Sequence, residues 1–366
     1  MLTAPATKDF AVTRLGVLMR VEADDPREAW GILNPGGVRS LDGAMHLFPR
    51  LIAEGNYSRI DHATVRYDGE DPVGANRLGM ALEPRELYEL SPAGGGVEDP
   101  RVVHVPLIAC YVMTYTAFLP FDPRVAVAVS DDLRTWRRLG LLHFEAARDV
   151  PDLNAAGNKD ATFFPEPVLD PEGVRSLAIL HRPTTRICID VNDGEAKVRK
   201  PPCGQETREN IWISYVALEN VLTDIANLTS VRRHERVLAP EQAWEELKVG
   251  AGTPPIRLPY GWVVPYHAVA TRDDHTRYCM GIAILDLERP SNVLYRTPAP
   301  IMEPATDYER SGLVSDVIFP TASDLRADGR LDVYYGAADR SIAVARISLP
   351  KELPAVSRAV PEPSLP

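Results

Sequence analysis

The chain has 366 residues, 45% hydrophobic and 25% charged, the balance of a soluble globular protein with a large core. Its 51 acidic and 40 basic residues give a formal charge of −11, which argues against a broadly basic nucleic-acid-binding face. Cys110, Cys188, Cys203 and Cys279 are scattered with no CxxC pair, so neither a zinc site nor a disulfide framework is indicated.

The opening "MLTAPATKDFAVTRLG" lacks the continuous apolar core of a signal peptide. A first strand is expected at "ATVRYDG" (63–69), and a short helical piece at "PRELYEL" (84–90). Residues 102–121, "VVHVPLIACYVMTYTAFLPF", contain no Asp, Glu, Lys or Arg and are long enough to span a bilayer. His104, Pro106, Pro120 and the β-branched and aromatic content instead predict two buried strands joined by a turn. A soluble cytoplasmic protein, with no membrane or nucleic-acid partner, is the expectation.

"VAVAVSDDLRTWRRLG" (125–140) reads as a strand, a turn opened by Ser130-Asp131-Asp132, and Trp136 packing back. Further strands are expected at 176–183, 211–218, 261–269, 281–296, 331–339 and 341–347, with a second helical piece at "PEQAWEEL" (240–247). Small apolar strands followed by Asp-rich turns recur at long, irregular spacing, which favours an all-β propeller over a sandwich or barrel. No low-complexity linker divides the chain. One domain is expected over residues 1–350, followed by a proline-rich tail at 351–366.

Polar motifs sit at the strand ends. In "GVEDPR" (96–101), Pro100 biases Asp99 toward an extended conformation and removes a backbone donor. By itself this reads more readily as a braced turn than as a catalytic group. "GNKDATFFPEP" (157–167) places Asn158, Lys159 and Asp160 before a buried aromatic pair, and "AILHRPTTR" (178–186) ends an apolar strand on His181 and Arg182. "KVGAGTPPIRLPYGWVVPYHAV" (248–269) sets a glycine-rich loop between Lys248 and a strand carrying Tyr266 and His267. That loop lacks P-loop spacing, and no helix follows it. Each feature has an ordinary structural explanation: a solvated turn, an exposed cation, a core histidine.

As an ordered set the motifs carry more. GxEDPR, MTYT, NKDA followed by FPE, LHRP, GxGxPP, YH, a late YExxGxVxxVxFP and YYGAAD together resemble glycoside hydrolase family 130, the mannoside phosphorylases and related mannosidases. The resemblance runs from Asn34 in "LNPGGVR" to about Ile347. It implies a five-bladed β-propeller, in agreement with the strand reading. It also implies inverting phosphorolysis of a β-mannosidic bond to α-mannose 1-phosphate, with inorganic phosphate as co-substrate and neither cofactor nor metal.

Inverting hydrolysis needs two separated carboxyl groups, an acid and a base for water. Phosphorolysis needs the acid alone, because a cationic pocket can hold the dianion in line with C1. The resemblance assigns Asp99 as the acid, acting through the mannose 3-hydroxyl. It assigns Arg59, Lys159, Arg182, Lys248 and His267 to phosphate, and Asn34, Arg101, Tyr115, Asp160 and Asp339 to sugar. Arg101 has a competing role, an ion pair with Glu98 that braces the loop. An inverting β-mannosidase using Asp160, Glu166 or Asp316 as base stays open, as does a non-catalytic sugar-binding propeller. The loops at 146–157 and 192–210 are expected to border the acceptor site or an oligomer contact, and family members form homo-oligomers. Linkage and acceptor stay open.

Overall fold

A computed structural model of the protein describes residues 9–91, 94–118, 122–148, 150–184, 189–192, 195–198 and 208–355. Its strands form five antiparallel groups of four, here blades I to V. Blade I runs Gly31–Arg39, Met45–Ala53, Tyr57–Asp68 and Asp71–Leu82. Blade II runs Gly95–Val105, Cys110–Phe118, Pro123–Ser130 and Arg137–Leu141. A two-residue parallel bridge, Tyr57 to Gly95 and Ser58 to Gly96, joins their edges. Blade III is Asn158–Phe163, Arg175–Pro183, Ile211–Ala217 and Ser230–Leu238. Blade IV is Lys248–Ala251, Gly261–Arg272, His275–Leu285 and Val293–Arg296.

Blade V takes three strands from the end of the fold, Ile318–Leu325, Arg330–Ala337 and Ser341–Ser348. Its fourth is Ala11–Arg20, antiparallel to Ser341–Ser348. The ring is thus closed by main-chain hydrogen bonds between sequence-distant strands.

The core is divided among the blade interfaces, one apolar cluster for each adjacent pair. Phe48, Val97 and Met113 lie between I and II; Val127, Phe163 and Leu177 between II and III. Phe164, Tyr215 and Trp262 fill III/IV, Met280, Ile318 and Tyr335 fill IV/V, and Ile32, Leu47 and Tyr334 fill V/I. Each blade is covered on both faces, so strands such as Pro123–Ser130 read as apolar runs rather than as alternating patterns. The protein is a five-bladed β-propeller. Within the charge-free stretch, residues 102–118 form the end of the first strand and the whole of the second strand of blade II, joined through a 3-10 turn at Pro106–Ile108. No helix among the described residues is long and apolar enough to cross a membrane.

The two expected helices do not form. Residues 84–90 are a turn, and 240–247 contain only a 3-10 turn at Ala243–Glu245. The cause is a repeated device, P-x-x-x-[YW]-E, in "PRELYE", "PEQAWE" and "PATDYE". The terminal glutamates Glu89, Glu245 and Glu309 are fully buried. Each carboxylate folds back on two main-chain N–H groups of its own turn: Arg85 and Glu86, Glu241 and Gln242, or Ala305 and Thr306. It also accepts a tyrosine hydroxyl from the second strand of the next blade, Tyr115 at 2.6 Å, Tyr266 at 2.7 Å or Tyr335 at 2.8 Å. An arginine from the fourth strand completes the clasp: Arg138, Arg296 or Arg14. A carboxylate committed in this way stops the turn after one revolution. In blade I, Glu28 keeps the arginine, Arg77, and one main-chain N–H, that of Glu22. Blade III has no such glutamate among its described residues.

The loop at 146–157 serves the core. Leu153 joins the cluster between blades II and III, and Asn154 bonds the main chain of Phe144 in both directions. The proposed loop at 192–210 and the tail at 351–366 lie largely outside the described residues.

Candidate functional site

The five innermost strands share one register with their second strands. Leu33 faces Arg50, Glu98 faces Thr116, Lys159 faces Arg182, Gly250 faces His267, and Phe319 faces Gly336. In blades I to III the next two inner residues oppose a single partner, a β-bulge. The first bulge residue is Asn34, Asp99 or Asp160, at φ 43°, 46° and 53°. This left-handed conformation is one that Asn and Asp tolerate better than other side chains. The bulge re-aims the side chain, as bulges beside active sites commonly do. All three line a cavity of about 190 Å³ on the propeller axis.

Arg50, Arg182 and His267, from equivalent second-strand positions, also line this cavity, as do Lys159, Lys248 and Asp339. Two glycines make the room. A Cβ on Gly250 would collide with the Asp160 carboxylate and the His267 ring, and one on Gly336 would collide with the Asn34 amide oxygen. Tyr278, Phe319, Val314 and Val317 form the apolar wall.

The ion pairs divide the cavity in two. On one side, Asp99 Oδ1 accepts from Asn34 Nδ2 at 2.9 Å and Arg50 Nη1 at 3.0 Å. Arg50 Nη2 also donates to Glu98 at 2.7 Å, and Lys159 Nζ lies 3.8 Å from the other Glu98 oxygen. Burial alone would raise the Asp99 pKa, but Arg50, Arg101 and Lys159 outweigh it and hold the carboxyl below its usual range. Burial pushes Asp339, at φ 50°, up to about 6 against the opposing charge of Arg50, with Asp99 and Glu98 adding to the rise.

On the other side, Asp160 Oδ2 accepts from Arg182 Nε at 2.6 Å and lies 3.5 Å from His267 Nε2. Arg182 also pairs with Glu209. Burial favours the neutral form of Asp160, yet Arg182 and the other cations keep it well below the usual carboxylate range. Burial drives His267 down to about 3, so its ring is neutral, and neither ring nitrogen makes a hydrogen bond among the described residues. Lys248 Nζ lies 5.5 Å from the Tyr278 ring centre and makes no ion pair among the described residues. Burial and Arg182 bring its pKa down to about 8, with Asp160 opposing.

Of the expected site residues, Asn34, Asp99, Lys159, Asp160, Arg182, Lys248, His267 and Asp339 line this one cavity. Three do not. Arg59 lies on the third strand of blade I and faces Glu83 at 3.5 Å, outside the cavity lining. Tyr115 spends its hydroxyl on the Glu89 clasp, and its ring belongs to the core between blades I and II. Arg101 lies beneath the cavity floor, donating to the carbonyls of Asp99, Ala251 and Gly252 and to Asp160 at 3.3 Å. It is a brace, but its ion-pair partner is Asp160 rather than Glu98. Arg50 takes the place beside Glu98 and is the cavity residue that sequence reasoning missed. Its signal was present: "FPR" at 48–50 matches "LHR" at 180–182 and "PYH" at 265–267 once the second strands are aligned.

A family model described as β-1,4-mannooligosaccharide phosphorylase, for glycoside hydrolase family 130, matches residues 7–357. A 1,2-β-oligomannan phosphorylase from a Thermoanaerobacter species is 33% identical over 336 residues, covering 90% of this chain and 93% of the relative. A β-1,2-mannobiose phosphorylase from the same source is 32% identical and covers 77% of this chain and 76% of its own. The solved β-1,2-mannobiose phosphorylase of Listeria innocua superposes with a TM-score of 0.65 at 23% identity, over 95% of this chain and 93% of its own.

Proposed function

The chain belongs to glycoside hydrolase family 130, and from that premise we propose that its axial cavity is the active site of a β-mannoside phosphorylase. The protein cleaves manno-oligosaccharides with inorganic phosphate as co-substrate, releasing α-mannose 1-phosphate. The observation that carries this reading is the cationic lining of the cavity. Arg182, Lys248 and neutral His267 line it around Asp160, and Lys159 and Arg50 line it beside Glu98 and Asp99, a set suited to holding a phosphate rather than activating a water.

Balance of the reaction follows from that lining. A phosphate oxygen attacks C1 from the face opposite the glycosidic oxygen, the C1–O bond breaks, and the configuration inverts. The leaving oxygen takes a proton from Asp99, relayed in the family resemblance through the mannose 3-hydroxyl. The proton carried by hydrogen phosphate restores Asp99, so the overall exchange is proton-neutral. Asn34 and Arg50 hold the carboxyl in one orientation. Asp339 and Asn34 supply sugar-binding groups, and Asp160 orients Arg182 and His267 from beneath.

Hydrolysis by the same fold would need a free second carboxylate. Glu166 is exposed beside Arg257, Asp316 is bonded to His275, and neither lines the cavity. Asp160 is committed to Arg182 and Arg101, and Asp339, which lines the cavity, has Arg50, Asp99 and Glu98 as its charged neighbours and so belongs to the Asp99 side. The finer assignment is a β-1,2-linked oligomannoside, supported by the two relatives that cover most of this chain. The test is incubation with β-1,2- and β-1,4-mannosides with and without phosphate. Mannose 1-phosphate formed only with phosphate, and faster from β-1,2 substrates, is the expected result. Free mannose without phosphate would overturn phosphorolysis, and a β-1,4 preference would overturn the linkage.

A further inference from the structure

Blade III replaces the glutamate clasp with a different polar chain. His181 occupies the second-strand position that Tyr115 fills in blade II, opposite the bulge. From it a line of hydrogen bonds crosses the blade: Asn158 Nδ2 to His181 Nδ1 at 3.0 Å, His181 Nε2 to Ser214 Oγ at 2.8 Å, Ser214 Oγ to His234 Nδ1 at 2.7 Å, and His234 Nε2 to the Glu145 carbonyl at 2.8 Å. All four side chains are buried, and the Phe144 ring lies against both imidazoles, at 5.0 and 5.6 Å.

The far end sets the proton order. A carbonyl only accepts, so His234 Nε2 carries hydrogen, and with the ring neutral its Nδ1 accepts the Ser214 hydroxyl proton. Ser214 has then spent its proton, so His181 must donate from Nε2 and accept at Nδ1. The donor left for that Nδ1 is the Asn158 amide NH2. Burial lowers the pKa of both histidines, in keeping with neutral rings. The Asn158 Oδ1 has no partner among the described residues, so the amide is held through its NH2 alone.

Both ends of the inner link adjoin the cavity in sequence. Asn158 precedes Lys159, and His181 precedes Arg182, and these two cavity cations face each other across the strand pair. We propose that His181, Ser214 and His234 are positioning residues: a one-directional hydrogen-bond chain that fixes Asn158 and thereby the spacing of Lys159 and Arg182 around the anion. The inference rests on the phosphorylase reading for its kinetic readout, but not for its spectroscopic one.

Ser214→Ala leaves the size of the site nearly unchanged and breaks the chain at its centre. The expected result is a roughly tenfold rise in the KM for phosphate, with kcat and the KM for sugar within about twofold of wild type. Ser214→Thr, which keeps the hydroxyl, should restore most of the phosphate affinity. An unchanged phosphate KM, a parallel rise in both KM values, or a Thr variant no better than Ala would each overturn the proposal. Nitrogen-15 NMR of the wild-type imidazoles decides it independently of variants and turnover. Both His181 and His234 should be Nε2–H tautomers, and an Nδ1–H tautomer at His181 would refute the chain. Wild-type protein without phosphate-dependent turnover would count against the activity assigned above, while the tautomers would still decide the chain.

Discussion

Glu309 is the clasp with most to lose, because its arginine comes from the strand that closes the ring. Its carboxylate receives four bonds: Arg14 Nε at 2.8 Å, Tyr335 Oη at 2.8 Å, and the N–H groups of Ala305 at 2.8 Å and Thr306 at 3.0 Å. In Glu309→Gln one oxygen becomes an NH2 that can only donate; turned to Arg14 and Tyr335 it donates to the tyrosine oxygen but leaves the Arg14 N–H facing a donor, and the remaining bonds lose their charge assistance. An orphaned buried donor costs about 1–3 kcal/mol. Arg14 is 28% exposed and also bonds the Glu303 carbonyl, so part of its loss is recovered from water. A net destabilisation of about 2–4 kcal/mol follows, or about 4–8 °C in Tm at roughly 2 °C per kcal/mol for a chain of this size. Urea unfolding and thermal melts measure it, with Arg14→Met expected to cost about half as much. Burial would raise the Glu309 pKa, but Arg14 and the main-chain donors win and lower it. A depressed carboxylate pKa stabilises the fold above the unfolded value of about 4.3 and loses that contribution as pH falls. The gap between wild type and Glu309→Gln should therefore close below about pH 4. A Tm within 1 °C of wild type at pH 7, or a gap that does not change with pH, would refute the clasp as a stabilising unit.

Asp99→Asn should lower turnover by about 10³-fold or more, since it removes the acid, while calorimetry still detects oligosaccharide binding; near wild-type turnover would refute the assignment. Lys248, brought down to about 8 by burial, loses its charge as pH rises through that value. The KM for phosphate should then rise about fivefold between pH 8 and pH 9, and Lys248→Arg should flatten the rise, because guanidinium stays charged. Gly250→Ala would set a methyl group against Asp160 and His267. It should raise the phosphate KM by about tenfold or more with little change in Tm, which steady-state kinetics and a thermal melt check together.

The strand order and all-β class were legible because Gly, Pro and Asp punctuate the apolar runs. The axial residues were legible only in part, for reasons of register. Asp99 and Asp160 stand out as acidic residues in polar motifs at strand ends, although Asp99, expected to be extended before Pro100, is left-handed at φ 46°, and Arg182 and His267 stand out as polar ends of apolar strands. Arg50 hides in "HLFPRLIA", where a single cation in a buried strand reads as an exception until the facing strand is known. Arg101 misleads for the opposite reason. The extra residue at Pro100 breaks the two-residue alternation, so Asp99 turns into the cavity while Arg101 passes beneath it. Arg59 differs by its partner: its guanidinium faces Glu83, although Ser58 beside it bonds Glu98 and Arg50. The clasp glutamates were read as helix because "PRELYEL" and "PEQAWEEL" have helical composition. Their role depends on tyrosines and arginines at least 21 residues away, which local propensity does not contain.

One tension in the cavity is itself informative. Asp99 is the carboxyl best placed to protonate a leaving group, yet Arg50, Arg101 and Lys159 hold its pKa below the usual range. A bound dianion reverses that field. A dianion a few ångströms away favours the protonated carboxyl, so bound phosphate should raise the Asp99 pKa and load the acid when the nucleophile is present. Sulfate tests this cleanly, since it is a dianion with no proton of its own to release near neutral pH. Calorimetry of sulfate binding at pH 6, in two buffers of different ionisation heat, reports the protons taken up. Lys248, at about 8, is already protonated at that pH. Asp339, at about 6 and raised in part by Asp99, would itself respond to Asp99→Asn, so the comparison is made with Asp339→Asn present in both proteins. The protein that keeps Asp99 should take up more protons per sulfate bound than the one carrying Asp99→Asn. Equal uptake by the two would mean that the anion does not charge the acid, and that the proton reaches the glycosidic oxygen from the phosphate by another route.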